Sequence, residues 1–336
     1  MSISNVTAHL NSSDSVTNLS MQNRDFYAFF SSECGLDSLI GSFSATSLEM
    51  LQQEKDRRID ISRLQKVLPP FVLDINAGRD NLLTDILHDS DMDFRRLTLE
   101  AANDSLLSID SRVLDFRTGS TRLDTIKFKA DQHADSMLFG AYIGNRTGTL
   151  DAWKQVQVKG SVAENRARVL IDQHNARRQQ GFYIGMAAEL QPDSTLIARL
   201  TPLDPVIGYQ QWQVNADNFI SYNLPTGHID ANLRMNGGNS SLAIYTEHDP
   251  HMHSHDTAQE DLIIKVGDIH IQDWIAINPF APQMSGDLNA DMRLSLVDNQ
   301  INAKGTVGLN EFFYDRRRVG TILADVDVST RPGGVL

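Results

Sequence analysis

Gly227-His-Ile-Asp-Ala-Asn-Leu-Arg-Met235 recurs almost residue for residue as Gly286-Asp-Leu-Asn-Ala-Asp-Met-Arg-Leu294, 59 positions further along the chain. Gly, Ala and Arg are identical between the copies, and the other six positions are chemically close. Apolar and polar residues alternate in both: Ile229, Ala231, Leu233 and Met235 in the first, Leu288, Ala290, Met292 and Leu294 in the second. Period two is the mark of a strand with one dry face, because successive strand side chains point to opposite sides. The apolar four of each copy should therefore share one side. Asp230, Asn232 and Arg234, with Asn289, Asp291 and Arg293, should face water. A tryptophan (Trp212, Trp274), then Asn and a Pro-bearing turn, accompanies each unit. A duplication of this kind predicts an array that grows by adding strands, with an extended surface rather than a pocket. The competing reading is two similar strands in one sandwich.

The same alternation runs through most of the 336 residues. Residues 1–44 read as short N-terminal strands. Residues 45–91 hold short helices with one strand: Ser47 to Arg57 with a Ser cap, Ile61 to Leu68 ending before Pro69-Pro70, and Asp80 to Leu87 with an Asp cap, around a strand from Phe71 to Gly78. Residues 92–336 are strand and turn, with repeat units near 212–245 and 274–309. The chain is 41% hydrophobic, yet its apolar residues come as alternating singles, which implies sheets with one apolar and one wetted face. No strands alternate with helices of crossover length, which argues against a parallel α/β sheet. The expected class is mainly β, an elongated antiparallel sheet. Its apolar face is drawn by Leu97, Leu99, Ile126, Phe128, Val156, Val158, Leu262 and Ile264, together with the eight repeat residues.

The net charge of −13 repels phosphate backbones and argues against nucleic acid as a partner. One cysteine, Cys34, leaves no internal disulfide and no cysteine-based metal site; it reads as a small buried apolar residue. No apolar stretch is long enough to cross a bilayer as a helix. Met1-Ser-Ile-Ser-Asn-Val lacks the features of a signal peptide, and both ends read as cuts through a longer protein.

Four of the ten histidines fall within eight positions, His248, His251, His253 and His255. Imidazoles two apart on an extended chain can grip Zn or Ni. Pro250 and the polar run Thr257 to Asp261 instead suit a solvated hairpin loop, so these four are a weak metal candidate only. Asp89, Asp91 and Asp93 alternate like part of a calcium loop but lack its Gly and terminal Glu. No phosphate loop, nucleophile elbow or paired-histidine zinc motif is present. Trp153, Trp212 and Trp274 read as packing anchors, and Arg316-Arg317-Arg318 as a turn between strands. No catalytic residue and no cofactor is expected.

Three segments carry a resemblance: Leu64-Gln-Lys-Val-Leu-Pro-Pro-Phe-Val-Leu-Asp-Ile-Asn-Ala-Gly-Arg-Asp-Asn81, Leu203-Asp-Pro-Val-Ile-Gly-Tyr-Gln-Gln-Trp-Gln-Val-Asn-Ala-Asp-Asn-Phe-Ile220, and Asp268-Ile-His-Ile-Gln-Asp-Trp-Ile-Ala-Ile-Asn-Pro-Phe-Ala-Pro-Gln-Met-Ser-Gly286. Together they resemble the TamB-like translocation and assembly module proteins of Bacteroidetes, relatives of the AsmA superfamily, from about Leu64 to the end. The resemblance implies a long periplasmic sheet curled into an open, taco-like groove with an apolar interior. It further implies an inner-membrane-anchored protein associated with phospholipid movement between membranes and with outer-membrane protein assembly. The family's anchor and its domain for the outer-membrane partner are not in this sequence, which resembles an internal fragment. Phospholipid acyl chains are the partner so implied, lying on the sixteen apolar residues above. The alternatives are a passive β-sandwich scaffold of adhesin type with a self-packed core, and an enzyme built on the histidine cluster.

Overall fold

The computed structural model describes residues 6–119, 121–145, 155–247, 261–275, 282–297 and 300–329. The fold is mainly β, with antiparallel sheet not closed into a barrel and four helices among the described residues. Contacts divide the chain into two compact units, Met1–Arg178 and Gln179–Leu336.

The first unit opens with β1 (Thr7–Ser12), β2 (Thr17–Asn23) and β3 (Phe26–Ser32), followed by α1 (Leu36–Lys55) and α2 (Ile61–Val67). Then come β4 (Phe71–Ala77), α3 (Leu82–His88), the two-residue β5 (Met92–Asp93) and β6 (Arg96–Asn103). β7 (Leu107–Thr118), β8 (Thr121–His133), β9 (Ser136–Gly144), β10 (Gln155–Ala163) and β11 (Arg166–His174) complete it. Pairing is a meander: β1 to β4 in order, β4 to β6, then each strand with the next to β11.

Helix α1 differs from the sequence expectation. It begins at Leu36 rather than Ser47, and Ser47 lies mid-helix. Its first half is rich in Ser and Thr, weak helix formers because their hydroxyls compete for backbone groups. Here that competition is resolved inside the helix: Ser44, Thr46 and Ser47 donate to the carbonyls of Ile40, Ser42 and Phe43. The cap of α3 also moves by one residue, to Asn81. Its side chain accepts from Thr84 N while Thr84 Oγ1 accepts from Asn81 N, a capping box. Helix α2 and strand β4 lie where the sequence puts them, Asp60 capping the former. Cys34 is half-buried, with its carbonyl accepting from Thr17 Oγ1.

Helix α1 runs across one end of this sheet. At its start Leu36 N donates to Ser12 Oγ in β1 at 3.3 Å. Beyond its end Ile59 N donates to Asn165 Oδ1 in the β10–β11 turn at 2.6 Å. The residues between add little length, since Asp56, Arg57 and Arg58 bond back to Gln52, Glu54 and Gln53. Twenty helical residues span about 30 Å, whereas eight or nine strand spacings measure about 40 Å along the sheet. A straight helix reaching both edges is a chord, so the sheet of the first unit is curved.

The second unit contains β12 (Gln180–Leu190), β13 (Thr195–Ile207), the two-residue strands β14 (Gln210–Gln211) and β15 (Gln213–Val214), and β16 (Phe219–Asn223). It continues with β17 (Ile229–Gly237), β18 (Ser240–Glu247), β19 (Asp261–His270) and the short helix α4 (Ile271–Ile275). β20 (Met284–Val297), β21 (Gln300–Tyr314) and β22 (Arg317–Ser329) follow. The two repeat copies are β17 and the middle of β20. Strands β17 to β22 again form a meander. Asn215 and Asn218, from the second resemblance segment, stitch the irregular part: Asn215 Oδ1 accepts from Arg234 N, and Asn218 Oδ1 from Leu200 N.

Candidate functional site

Register decides whether alternating strands make a surface. When partners are directly opposite, apolar positions line up across the sheet; a slip of one residue would set apolar against polar. In the first unit the rows are continuous. One runs Ala77, Leu97, Val113, Ile126, Ile143 and Val156 from β4 to β10. The next runs Ile75, Leu99, Ser111, Phe128, Ala141, Val158 and Ile171 from β4 to β11. A third contains Leu10, Leu19, Phe30, Leu73, Ala101, Ile109, Ala130 and Phe139. Leu97, Ile126 and Val156 thus share one row, and Leu99, Phe128 and Val158 the adjacent one. Val113 and Ile171 read from the sequence as half-buried strand positions, and Ile143 is the member that reading missed, although its alternation with Ala141 marks it.

Among the described residues these rows are left half-buried or exposed over most of their length. Of their apolar side chains only two alanines, Ala77 and Ala130, are fully buried. Leu10, Leu19 and Phe128 are 58%, 41% and 39% exposed. The intervening residues of the opposite face are mainly polar, with Asp74, Glu100, Asp110 and Lys129 opposite one another in turn. The end of the curved face beneath α1 and α2 is polar and sealed. Asn103 Nδ2 donates to the carbonyls of Gln65, Leu68 and Pro69 there, and Ser32 Oγ to that of Pro70.

The second unit builds the same rows and treats them differently. Met235, Leu242, Val266, Ala290, Val307 and Ala324 align, as do Leu233, Ile244, Ile264, Met292, Gly305 and Val326. A further row takes Leu262, Leu294, Ala303 and Val328, with Ala231 N donating to Thr246 Oγ1 beside it. Leu288 lies opposite Ile269, beyond an irregularity in β19. Ile229 is exposed at the strand end, opposite Tyr222. At β17 this face is a dry core: Leu233, Met235, Phe182, Ile207, Trp212, Val214 and Ile269 form one buried cluster, with Trp274 packed on it. Trp212 and Trp274 meet edge to face with centroids 5.6 Å apart. Trp212 lies over Gly237, where an added Cβ would come within 2.5 Å of its ring. Toward β22 the cover ends, and Ile322 and Val328 are exposed. The wetted side carries Arg293, bonded at 2.7 Å to both Asp261 and Glu247, and Arg234 over the Tyr245 ring.

The described residues contain no group of three metal-ligating side chains. His248, His251, His253 and His255 lie outside the described residues, as do Trp153 and residues 276–281 of the third resemblance segment. Strands β18 and β19 pair out to Glu247 and Asp261, the residues flanking the histidine segment. A cavity of about 610 Å³ beside α2 is lined by charged and polar groups, Arg58, Arg63, Lys66 and Glu164 among them, and is no part of the apolar rows. Asp273, in α4, has its carboxyl pushed above the usual range by burial, against the pull of His270. No helix among the described residues is long and apolar enough to cross a membrane.

The fold and these rows define a class of protein: a mainly β, open antiparallel-sheet protein whose apolar side is partly exposed among the described residues. Comparison with protein-family models, with curated proteins and with solved structures finds no match.

Proposed function

We propose that the chain is a non-enzymatic, periplasmic segment of an envelope-spanning, inner-membrane-anchored TamB-like protein. Its apolar faces would receive phospholipid acyl chains during transport between the inner and outer membranes, or in outer-membrane protein assembly. The observation that carries the reading is the uncovered set of apolar rows on the curved sheet of the first unit. Water against such a face is unfavourable by about 25 cal/mol per Å² of apolar surface. An acyl chain laid there recovers about 0.8 kcal/mol for each buried methylene without specific contacts. The resemblance of the Pro-Pro, Trp and Asp-Trp segments to the family supports the same reading. Lipid extraction of the purified protein, followed by mass spectrometry and uptake of a fluorescent phospholipid, tests it. Co-purifying phospholipid and saturable uptake are expected; a lipid-free protein that takes up none would sink the proposal.

A second reading, a passive interaction scaffold with a self-packed core, draws on the Trp212 cluster of the second unit. It expects no lipid uptake in either unit.

A further inference from the structure

In a chain of net charge −13, cations gather on two adjoining clefts of the first unit, along β7 and β8 and beside the start of β6. One, of about 330 Å³, is lined by Arg95, Arg112, Arg122, Asp115, Asp124 and Thr125. The other, of about 390 Å³, shares Arg112, Asp124 and Thr125 and adds Lys127 and Tyr142. Of the acidic side chains there, Asp124 lines both clefts and Asp115 lines the first. Asp115 is already held by three guanidiniums: Arg79 and Arg122 at 2.8 Å and Arg117 at 3.2 Å. Arg95 and Arg112 have no side-chain hydrogen bond or ion pair among the described residues, and Lys127 only stands over the Tyr142 ring at 6.0 Å.

Arg95 and Arg112 stand near one another with no ion pair of their own among the described residues, like charges repel, and an oxyanion relieves that repulsion. Guanidinium is suited to the task, because its planar fork donates two parallel hydrogen bonds to a phosphate while keeping its charge at any physiological pH. The Thr125 hydroxyl lines both clefts as a further donor. We propose that Arg95, Arg112 and Lys127, with Arg122 anchored by Asp115, form a binding site for a phosphate group, carried by inorganic phosphate or by a phospholipid headgroup. This inference goes beyond the acyl-chain reading and does not rest on it, since inorganic phosphate has no acyl chain.

Calorimetric titration of the full chain at low salt tests it, with sodium phosphate in one arm and dihexanoyl phosphatidylglycerol below its micellar concentration in the other. Saturable binding in at least one arm is expected, weakened about tenfold or more in Arg95→Gln/Arg112→Gln. Arg112→Lys, which keeps the charge and loses the fork, should fall between. Arg63→Gln/Lys66→Gln, in the separate charged cavity beside α2, should bind as the unaltered chain does. Tighter binding of the short lipid than of phosphate assigns the headgroup; equal binding assigns the free anion. Binding in neither arm, or an equal loss in the control variant, overturns the site. Neither Arg95 nor Arg112 supports a described side-chain contact, so thermal unfolding of the first double variant should match that of the unaltered chain.

Discussion

The two copies of the repeat share one apolar–polar pattern and live in different surroundings. In β17, Leu233 and Met235 are 5% and 2% exposed beneath Trp212. In β20, their counterparts Met292 and Leu294 are only half-buried, and the face beyond them opens toward β22. Leu288 joins the edge of the Trp212 cluster, so the cover thins along the second copy itself. One pattern thus serves as core at one place and as open apolar surface at another. What separates them is the chain between β13 and β17, which folds back and hydrogen-bonds Trp212 N to Pro205 O at 2.8 Å.

The sharpest way to break this comparison is to place a charge at the matched positions. Leu233→Arg leaves an unpaired cation in a dry core, at several kcal/mol against a total of about 5–15 kcal/mol, so the second unit should unfold. Circular dichroism melts would read it. Trp212→Ala should follow, costing about 3–5 kcal/mol through the cavity left over Gly237 and Met235. A chemical denaturation series would show the midpoint falling while the first unit holds.

Met292→Arg is the other half of the pair. Its side chain can lie along the open face and carry its charge to water, so the loss should stay near 1 kcal/mol. Fluorescent lipid uptake should nevertheless drop. Equal destabilisation by Leu233→Arg and Met292→Arg would erase the distinction between the copies.

A pH dependence sharpens it further. The Asp273 carboxyl beside the cluster is raised by burial, so its ionised form opposes folding. Stability from this group is present below the unfolded carboxylate range, about pH 3.9, and lost as pH climbs through the raised folded value. Asp273→Asn should therefore raise the melting temperature at pH 7, with the gain vanishing in acid.

The smallest effect belongs to the histidine segment. Deleting Asp249 to Gln259 and closing with a short Gly-containing turn joins strands that already pair at Glu247 and Asp261. The change in closure entropy is about 0.6 kcal/mol per doubling of loop length, so melting and lipid uptake should hardly move.

Much of the fold was legible because period two is local. Each of Leu97/Leu99, Ile126/Phe128, Val156/Val158 and the repeat residues announces a one-faced strand without reference to its neighbours. The start of α1 was not, because Ser44, Thr46 and Ser47 weaken the helical signal and are satisfied only by carbonyls of the helix itself. The cationic clefts were equally hidden: Arg112, Arg122 and Lys127 are scattered along two strands and Arg95 stands just before a third, and only pairing brings them to one place.

The sequence by itself determined the strand class, the alternating faces, the duplicated unit and the wetted or apolar side of each residue. Those follow from side-chain chemistry repeated at backbone spacing. Only the tertiary structure decided which stretch of the apolar face is covered. Cover depends on where Trp212 and Trp274 come to rest, and those positions are set by contacts between residues distant in the chain. Burial is a property of such contacts, so two strands of the same alternating pattern can end as a core and as an open face.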